Sequence, residues 1–213
     1  MPIKLVILDH DGVVMDSSGD IYEAVWQLCF SPSLLQRKAI PSFLDFLTTF
    51  RLPGDQWFQA HDFELSATEI SEALRQAPNR AVMFPAVPPF LNRVKEKLQL
   101  PIIMISAGDQ PRIERQLAVG RIRHHFEIVS GGNSDKIMAL SFFCSAFDVK
   151  PADTVYVGDM APDMEHSLEA GVTPVGFTGD CPAMEEILTK AGARHCARSH
   201  EELGDLLFGL THS

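Results

Sequence analysis

The chain contains only four cysteines among 213 residues, and no two of them form a Cys-x-x-Cys pair. Zinc sites and disulfide frameworks usually need closely spaced cysteines, so we expect neither. We expect reduced, mostly buried thiols in a cytoplasmic protein. No apolar run approaches the length of about 18 residues that a membrane-spanning helix needs. The apolar run at the amino terminus is also too short for a secretory signal, so no membrane contact is expected.

Basic residues are also scarce, because 18 Lys and Arg face 28 Asp and Glu, for a formal net charge of −10. A chain that binds nucleic acid usually carries a clustered basic face, so this partner is not expected. The charge does not exclude a small phosphate ester, since a bound divalent cation can invert the local field. With 46% hydrophobic and 22% charged residues, the composition is that of a globular protein and excludes a disordered chain.

Short apolar runs alternate with helical patterns along most of the chain, which predicts a doubly wound parallel α/β sheet. Several of the helices begin with proline and end before glycine, as helices commonly do. We predict helices at residues 111–119, 135–147, 162–170 and 183–191. We predict strands at residues 3–8, 101–106, 127–130, 154–159, 174–178 and 194–197.

One interval, from about residue 18 to residue 80, breaks this alternation and has no convincing strand. It carries half of the aromatic residues of the chain, and residues 43–50 repeat phenylalanine and leucine at helical spacing. Ser66 and Glu69 match a helix capping box. We therefore expect a helical cap domain at residues 17–83, inserted into a discontinuous core domain at residues 1–16 and 84–213.

Polar side chains follow several of the predicted strands at the point where each strand ends. Ligands of an open parallel sheet bind beyond the carboxyl ends of its strands, so these side chains are candidates for one site. They are an acidic pair after the first strand, a hydroxyl after the second, an ammonium after the third and an acidic pair after the fourth. The residues are Asp9, Asp11, Ser106, Lys136, Asp159 and Asp163.

Asp9 and Asp11 are two residues apart, so in an extended chain their side chains lie on the same side. Close carboxylates repel each other and need a proton or a cation, and Asp159 and Asp163 would increase that need. A hard cation with oxygen ligands, preferably Mg²⁺, would neutralise them together with a substrate phosphate. Alone, the Asp-x-Asp-Gly sequence also fits a turn or a fragment of a calcium loop.

Ser106 and Lys136 are candidates to bind a phosphate group. The Ser106 hydroxyl and the N–H groups of Ala107 and Gly108 suit a phosphate oxygen, although a serine here could also cap the next helix. Lys136 lies in the first turn of its helix, where the helix dipole disfavours a cation. A broken local rule often marks a functional site, and here phosphate and aspartates would compensate.

In this order and spacing, these residues resemble the four motifs of the haloacid dehalogenase superfamily of phosphotransfer enzymes, over nearly the whole chain. Residues 9–13 resemble the first motif, Ser106 the second, Lys136 the third, and residues 158–163 the fourth. The helical insertion after the first motif resembles the branch of phosphoglycolate phosphatases and β-phosphoglucomutases. The resemblance implies a phosphatase that acts on a small phosphorylated metabolite.

The resemblance also implies a role for each residue. Asp9 would be the nucleophile that forms an aspartyl-phosphate, and Asp11 would be the general acid and then the base, with a raised pKa. Ser106 and Lys136 would bind the phosphoryl group. Mg²⁺ would be held by Asp9, the backbone carbonyl of Asp11 and Asp159, with Asp163 supporting a water ligand or Lys136. Cap residues that could meet an anionic leaving group are Arg37, Lys38, Arg51 and Arg75.

Two positions depart from the family pattern, and three other functions stay open. His10 stands where an apolar residue is usual and is expected to be a buried, backbone-bonded ring. Ala107 stands where many family phosphatases have asparagine, as in some mutases, but residues 21–28 lack the histidine common in mutases. A phosphosugar mutase is therefore the nearest alternative. A signalling phosphoacceptor and a non-catalytic phosphate-binding protein are more remote, and a monomer and a homodimer are both possible.

Overall fold

In the computed structural model, which describes residues 2–30, 40–51, 54–179 and 181–212, six strands form one parallel sheet. All six predicted strands are present, which confirms the doubly wound α/β class. The strands are β1 (Leu5–Leu8), β2 (Met15–Asp16), β3 (Val82–Met83), β4 (Ile102–Ile105), β5 (Ile128–Ser130), β6 (Thr154–Gly158), β7 (Thr173–Phe177) and β8 (His195–Ala197). The order in the parallel sheet is β5-β4-β1-β6-β7-β8.

The central strand β1 is buried on both faces, as its unbroken apolar sequence predicts. Val6 and Leu8 pack in one apolar cluster, whereas Leu5 and Ile7 pack in another. This alternation follows from the two-residue period of a strand. Strand β1 lies between β4 and β6, so the chain segments that follow these three strands are neighbours at one edge of the sheet.

The four helices predicted at residues 111–119, 135–147, 162–170 and 183–191 are confirmed to within one residue at either end. They are four of the helices that flank the parallel sheet, and the remaining helices lie in the inserted interval and near the ends of the sheet. The helices are α1 (Ser18–Cys29), α2 (Phe43–Thr49), α3 (Asp55–Ala60), α4 (Ala67–Gln76), α5 (Val87–Arg93), α6 (Gln110–Val119), α7 (Lys136–Ala146), α8 (Ala161–Glu169), α9 (Pro182–Lys190) and α10 (His200–Thr211).

A two-stranded antiparallel ribbon joins the start and the end of the inserted interval. Its strands β2 and β3 pair Met15 with Met83 and Asp16 with Val82. The sequence did not predict this ribbon, because two residues are too few to show a strand period. The ribbon places the chain segments that enter and leave the insertion next to each other.

In its described residues the inserted interval consists of α1 to α4 with short connections and has no strand before β3 at its end, as predicted. Ser66 caps α4 in a reciprocal capping box with Glu69, and Ser42 caps α2 in the same way with Asp45. The aromatic residues of α2 and α3 pack together, and the same apolar cluster extends to Met164 of α8. The division into a core and a cap domain stays a prediction, because this cluster crosses the proposed boundary.

Within the described residues, none of the helices combines the length and the hydropathy that crossing a membrane would require. The four cysteines are unpaired thiols; Cys29 and Cys144 are buried, and Cys181 and Cys196 are half-buried.

Candidate active site

The predicted site residues line a single cavity of about 590 Å³ at the carboxyl edge of the sheet. Asp9 follows β1, Ser106 follows β4, and Asp159 follows β6, so three neighbouring strands deliver their side chains to one place. Lys136 opens α7 after β5, and Asp163 lies in the first turn of α8. The structure therefore brings together the residues that the sequence placed at separate strand ends.

Lys136 links two of the aspartates. Its Nζ lies 2.5 Å from Asp9 Oδ2 and 2.7 Å from Asp163 Oδ1, and the lysine side chain is almost buried. Burial alone would lower the pKa of Lys136, but the two carboxylates raise it well above its usual range. The ammonium is therefore charged, and the carboxylates compensate for its unfavourable position in the first turn of a helix.

Three carboxylates, those of Asp9, Asp159 and Asp163, each place one oxygen within 4.8 Å of the others. Burial raises the pKa of Asp9 to about 6, although Lys136 opposes the rise. Burial and repulsion by Asp163 and Asp9 raise the pKa of Asp159 well above its usual range. Two buried acids and the half-buried Asp159 outnumber the single ammonium, so this acidic triad fits a hard divalent cation.

Gly12 makes room for the triad in the turn after β1. Its φ is +75°, and a Cβ at this position would lie 1.9 Å from Asp159 Oδ2. A side chain here would be strained and would also displace the carboxylate, so the glycine lets Asp159 reach the turn that carries Asp9.

Asp11 does not have the raised pKa that the sequence predicted. Burial would raise it, but the adjacent His10 ring and the hydrogen-bonded Arg112 guanidinium lower the pKa of Asp11 well below its usual range. Arg112 donates from Nη1 to Oδ1 at 3.0 Å and from Nη2 to Oδ2 at 2.8 Å, and Ser17 donates its hydroxyl to Oδ1 at 2.8 Å. The prediction was wrong because it counted only the acidic neighbours of Asp11.

His10 is fully buried, as expected, but its ring faces a side chain rather than the backbone. Its Nδ1 lies 3.3 Å from Asp11 Oδ1. The backbone N–H of His10 donates to Asp9 Oδ1 at 2.8 Å. The residue between the two predicted catalytic acids is therefore in contact with both of them.

Ser106 is buried at the end of β4, and its hydroxyl oxygen accepts a hydrogen bond from the Gly108 N–H at 2.9 Å. The alternative that Ser106 caps the next helix is not observed, since Asp109 caps α6 by accepting from the Arg112 N–H. Asn133 donates its N–H to the Ser106 carbonyl at 3.0 Å. The loops after β4 and β5 thus hold each other beside Lys136.

The insertion also contributes residues to the cavity, including Arg51 and Arg75. Both arginines are already paired. Arg51 donates to both carboxylate oxygens of Glu165 on α8, at 3.0 and 2.8 Å, and Arg75 pairs with Glu72 one turn away. Arg37 and Lys38, the other two predicted cap residues, lie outside the described residues.

Three residues that bond to the site carboxylates were not predicted from the sequence, namely Arg112, Ser17 and Ser18. A sequence signal could have identified Arg112, because this residue lies in the first turn of α6. The helix dipole disfavours a cation there, as it does at Lys136. No sequence signal marked Ser17 and Ser18, because serine is common at the start of a helix. Their partners, Asp11 and Asp159, are recognisable only in the folded chain.

A doubly wound parallel sheet with acids, a hydroxyl and an ammonium at its carboxyl edge defines an α/β enzyme with one site at that edge. The family model for haloacid dehalogenase-like hydrolases matches residues 6–177. The chain belongs to this hydrolase family, as the sequence motifs indicated. Membership also disfavours the signalling phosphoacceptor alternative. Among curated proteins, no match was found.

Solved structures with the same fold include a predicted phosphatase from Clostridium acetobutylicum, with a TM-score of 0.77, 16% identity and coverage of 98% of this chain and 100% of that chain. A predicted phosphoglycolate phosphatase from Haemophilus somnus has a TM-score of 0.68, 17% identity and coverage of 96% and 97%. A hydrolase of the family from Deinococcus radiodurans, with bound phosphate and sodium, has a TM-score of 0.70, 19% identity and coverage of 98% and 96%. At these identities the similarity shows the fold alone.

Proposed function

We propose that this protein is a Mg²⁺-dependent phosphatase that hydrolyses a small phosphate monoester through an aspartyl-phosphate on Asp9. The observation that carries the proposal is the position of Lys136, whose ammonium bonds Asp9 and Asp163 beside the Ser106 loop. Phosphoryl transfer depends mainly on positioning and on stabilisation of charge, and this cluster supplies both.

In the first step, a carboxylate oxygen of Asp9 forms a bond to phosphorus while the bond from phosphorus to the ester oxygen breaks. The leaving oxygen needs a proton, and the role of Asp11 as its donor rests on the family resemblance. In the second step, water attacks phosphorus and Asp9 is released. Asp11 is ionised in the observed arrangement, which suits the base that takes a proton from that water.

Ser106 and Lys136 would hold the phosphoryl group through a hydroxyl, the N–H groups of Ala107 and Gly108, and an ammonium. Asp9, Asp159 and the backbone carbonyl of Asp11 would hold Mg²⁺, with Asp163 beside them. A bound divalent cation supplies neutralisation of charge on the phosphoryl oxygens. The fit is supported by the acidic triad, whose three carboxylates each place one oxygen within 4.8 Å of the others.

The substrate we propose is a phosphoglycolate-like or phosphosugar-like monoester. A cavity of about 590 Å³ lies in the range of small-molecule sites. Because Arg51 and Arg75 are each paired with a glutamate, a strongly anionic leaving group would have to compete for them.

The test is phosphate release from a panel of phosphorylated metabolites, with Mg²⁺ and after chelation. We expect release that chelation abolishes, that Mg²⁺ restores and that Asp9→Asn eliminates. The matched control is Asp16→Asn, which removes an exposed carboxylate from β2 and should retain activity. Phosphate release by Asp9→Asn would contradict the proposal, and isomer exchange of a phosphosugar without phosphate release would indicate a mutase.

A further inference from the structure

Arg112 forms a two-pronged ion pair with Asp11 across a sequence separation of 101 residues. Each terminal nitrogen donates to a different carboxylate oxygen, and the Arg112 side chain is only 3% exposed. Such a planar fork fixes the orientation of a carboxylate as well as its charge. Arg112 therefore fixes the orientation of the Asp11 carboxylate in the cavity.

Neighbouring residues hold the guanidinium in turn. Nη1 also donates to Gln116 Oε1 at 3.1 Å, one turn along α6. A Cβ at Gly108 would lie 2.1 Å from Nη2, so a side chain at this position would displace the guanidinium. The Arg112 guanidinium is therefore held beside both Gly108 and Asp11.

The two oxygens of Asp11 differ in their partners. Oδ1 accepts from Nη1 of Arg112 and from the Ser17 hydroxyl, which uses both of its lone pairs. Within the described part of the chain, Oδ2 accepts a hydrogen bond only from Nη2. Oδ2 therefore has a second lone pair available for a proton.

The geometry points to Arg112 as a positioning residue that aims Asp11 Oδ2 at the reacting oxygen, acting through Asp11 rather than on the phosphoryl group. The inference rests on the proposed phosphatase activity and adds to it a residue outside the four motifs. Lys136 and Ser106 already provide the phosphate contacts, whereas both outer nitrogens of Arg112 are committed to Asp11. Misplacement of a reacting group lowers turnover more than it weakens binding of substrate.

The test is a double-mutant cycle on kcat and KM with Arg112→Met and Asp11→Asn. We expect Arg112→Met to lower kcat at least about tenfold and to change KM by less than about threefold. In the Asp11→Asn background, the same change should lower kcat by less than about twofold, because the residue it positions is already lost. Arg112→Lys, which retains the charge but not the fork, should lie between wild type and Arg112→Met.

The control is Arg115→Met, which removes the same charge from an exposed position on the same helix. Its kcat should match that of wild type, and circular dichroism should show that every variant is folded. A large rise in KM, or an undiminished effect of Arg112→Met in the Asp11→Asn background, would show that Arg112 contacts the substrate and would overturn the inference. If wild-type protein releases no phosphate from any ester, the proposed function fails instead. Should Arg112→Met fail to fold, the cycle is run with Arg112→Lys, for which the same two outcomes decide.

Discussion

Ser18 donates its hydroxyl hydrogen to Asp159 Oδ2 at 2.8 Å, which joins the first residue of α1 to the acidic triad. The preceding residue, Ser17, donates to Asp11. Two adjacent serines at the start of the insertion are thus bonded to carboxylates that follow two different strands. The position of the first cap helix and the arrangement of the site acids are therefore coupled.

Ser18→Ala should weaken the response to Mg²⁺. The hydroxyl opposes the rise in the pKa of Asp159 that burial causes, so its loss leaves this carboxyl more readily protonated. Loss of a hydrogen bond to a metal ligand typically costs about 10- to 100-fold in metal affinity. We expect the Mg²⁺ concentration for half-maximal phosphate release to rise about tenfold. The control is Ser145→Ala, an exposed change on α7, which should leave this Mg²⁺ concentration unchanged. An unchanged Mg²⁺ concentration for Ser18→Ala would show that Ser18 does not affect the proposed metal site.

Lys136→Met should lower phosphate release at least about a hundredfold, because the charge that we propose stabilises the phosphoryl group is lost. The three carboxylates also lose their cation, so Mg²⁺ should raise the Tm of this variant more than that of wild type. Both effects are measurable by a phosphate assay and by thermal unfolding with and without Mg²⁺. Lys190→Met removes an exposed lysine and should change neither. Turnover near the wild-type level would remove Lys136 from the mechanism.

Phe58→Ala should reduce the free energy of unfolding by about 3–5 kcal/mol, because a fully buried ring is replaced by a cavity. The ring packs beside Trp57 and Phe63 in the cluster that also reaches Met164 of α8. Since that cluster joins the insertion to helices α8 and α9, chemical denaturation should show one transition. Phe142→Ala, at an exposed position, should cost about 0.5 kcal/mol or less. Two separate transitions would show that the cap unfolds independently.

His200 should make stability depend on pH. Burial lowers its pKa from the ordinary value of 6.5, although the hydrogen bond between its Nε2 and the Val13 carbonyl, at 2.8 Å, opposes the shift. The folded state thus binds fewer protons than the unfolded state, so stability is full above about pH 6.5 and decreases as pH falls below it. His200→Phe should reduce this slope by up to about 1.4 kcal/mol per pH unit. Denaturant unfolding of both proteins from pH 5 to 8 measures how the free energy of unfolding depends on pH. Equal slopes for wild type and His200→Phe would show that His200 does not cause this dependence.

Local patterns in the sequence determined the six strands of the parallel sheet, four of its helices, the Ser66 capping box and the polar residues at the strand ends. These features depend on side-chain period and on helix-end chemistry within a few residues, so they can be read without a fold. The unfavourable position of Lys136 in the first turn of its helix could also be recognised from the sequence. The same rule would have identified Arg112 as a candidate site residue.

Only the tertiary structure decided the state of Asp11 and the bonds of Ser17 and Ser18. A pKa depends on every charge and donor within a few ångströms, and Arg112 reaches Asp11 from a helix 101 residues away. The ribbon of β2 and β3 likewise depends on pairing between the two ends of the insertion. The sequence alone determined which groups were available, whereas their neighbours in space determined which of them carry charge, because folding sets those distances.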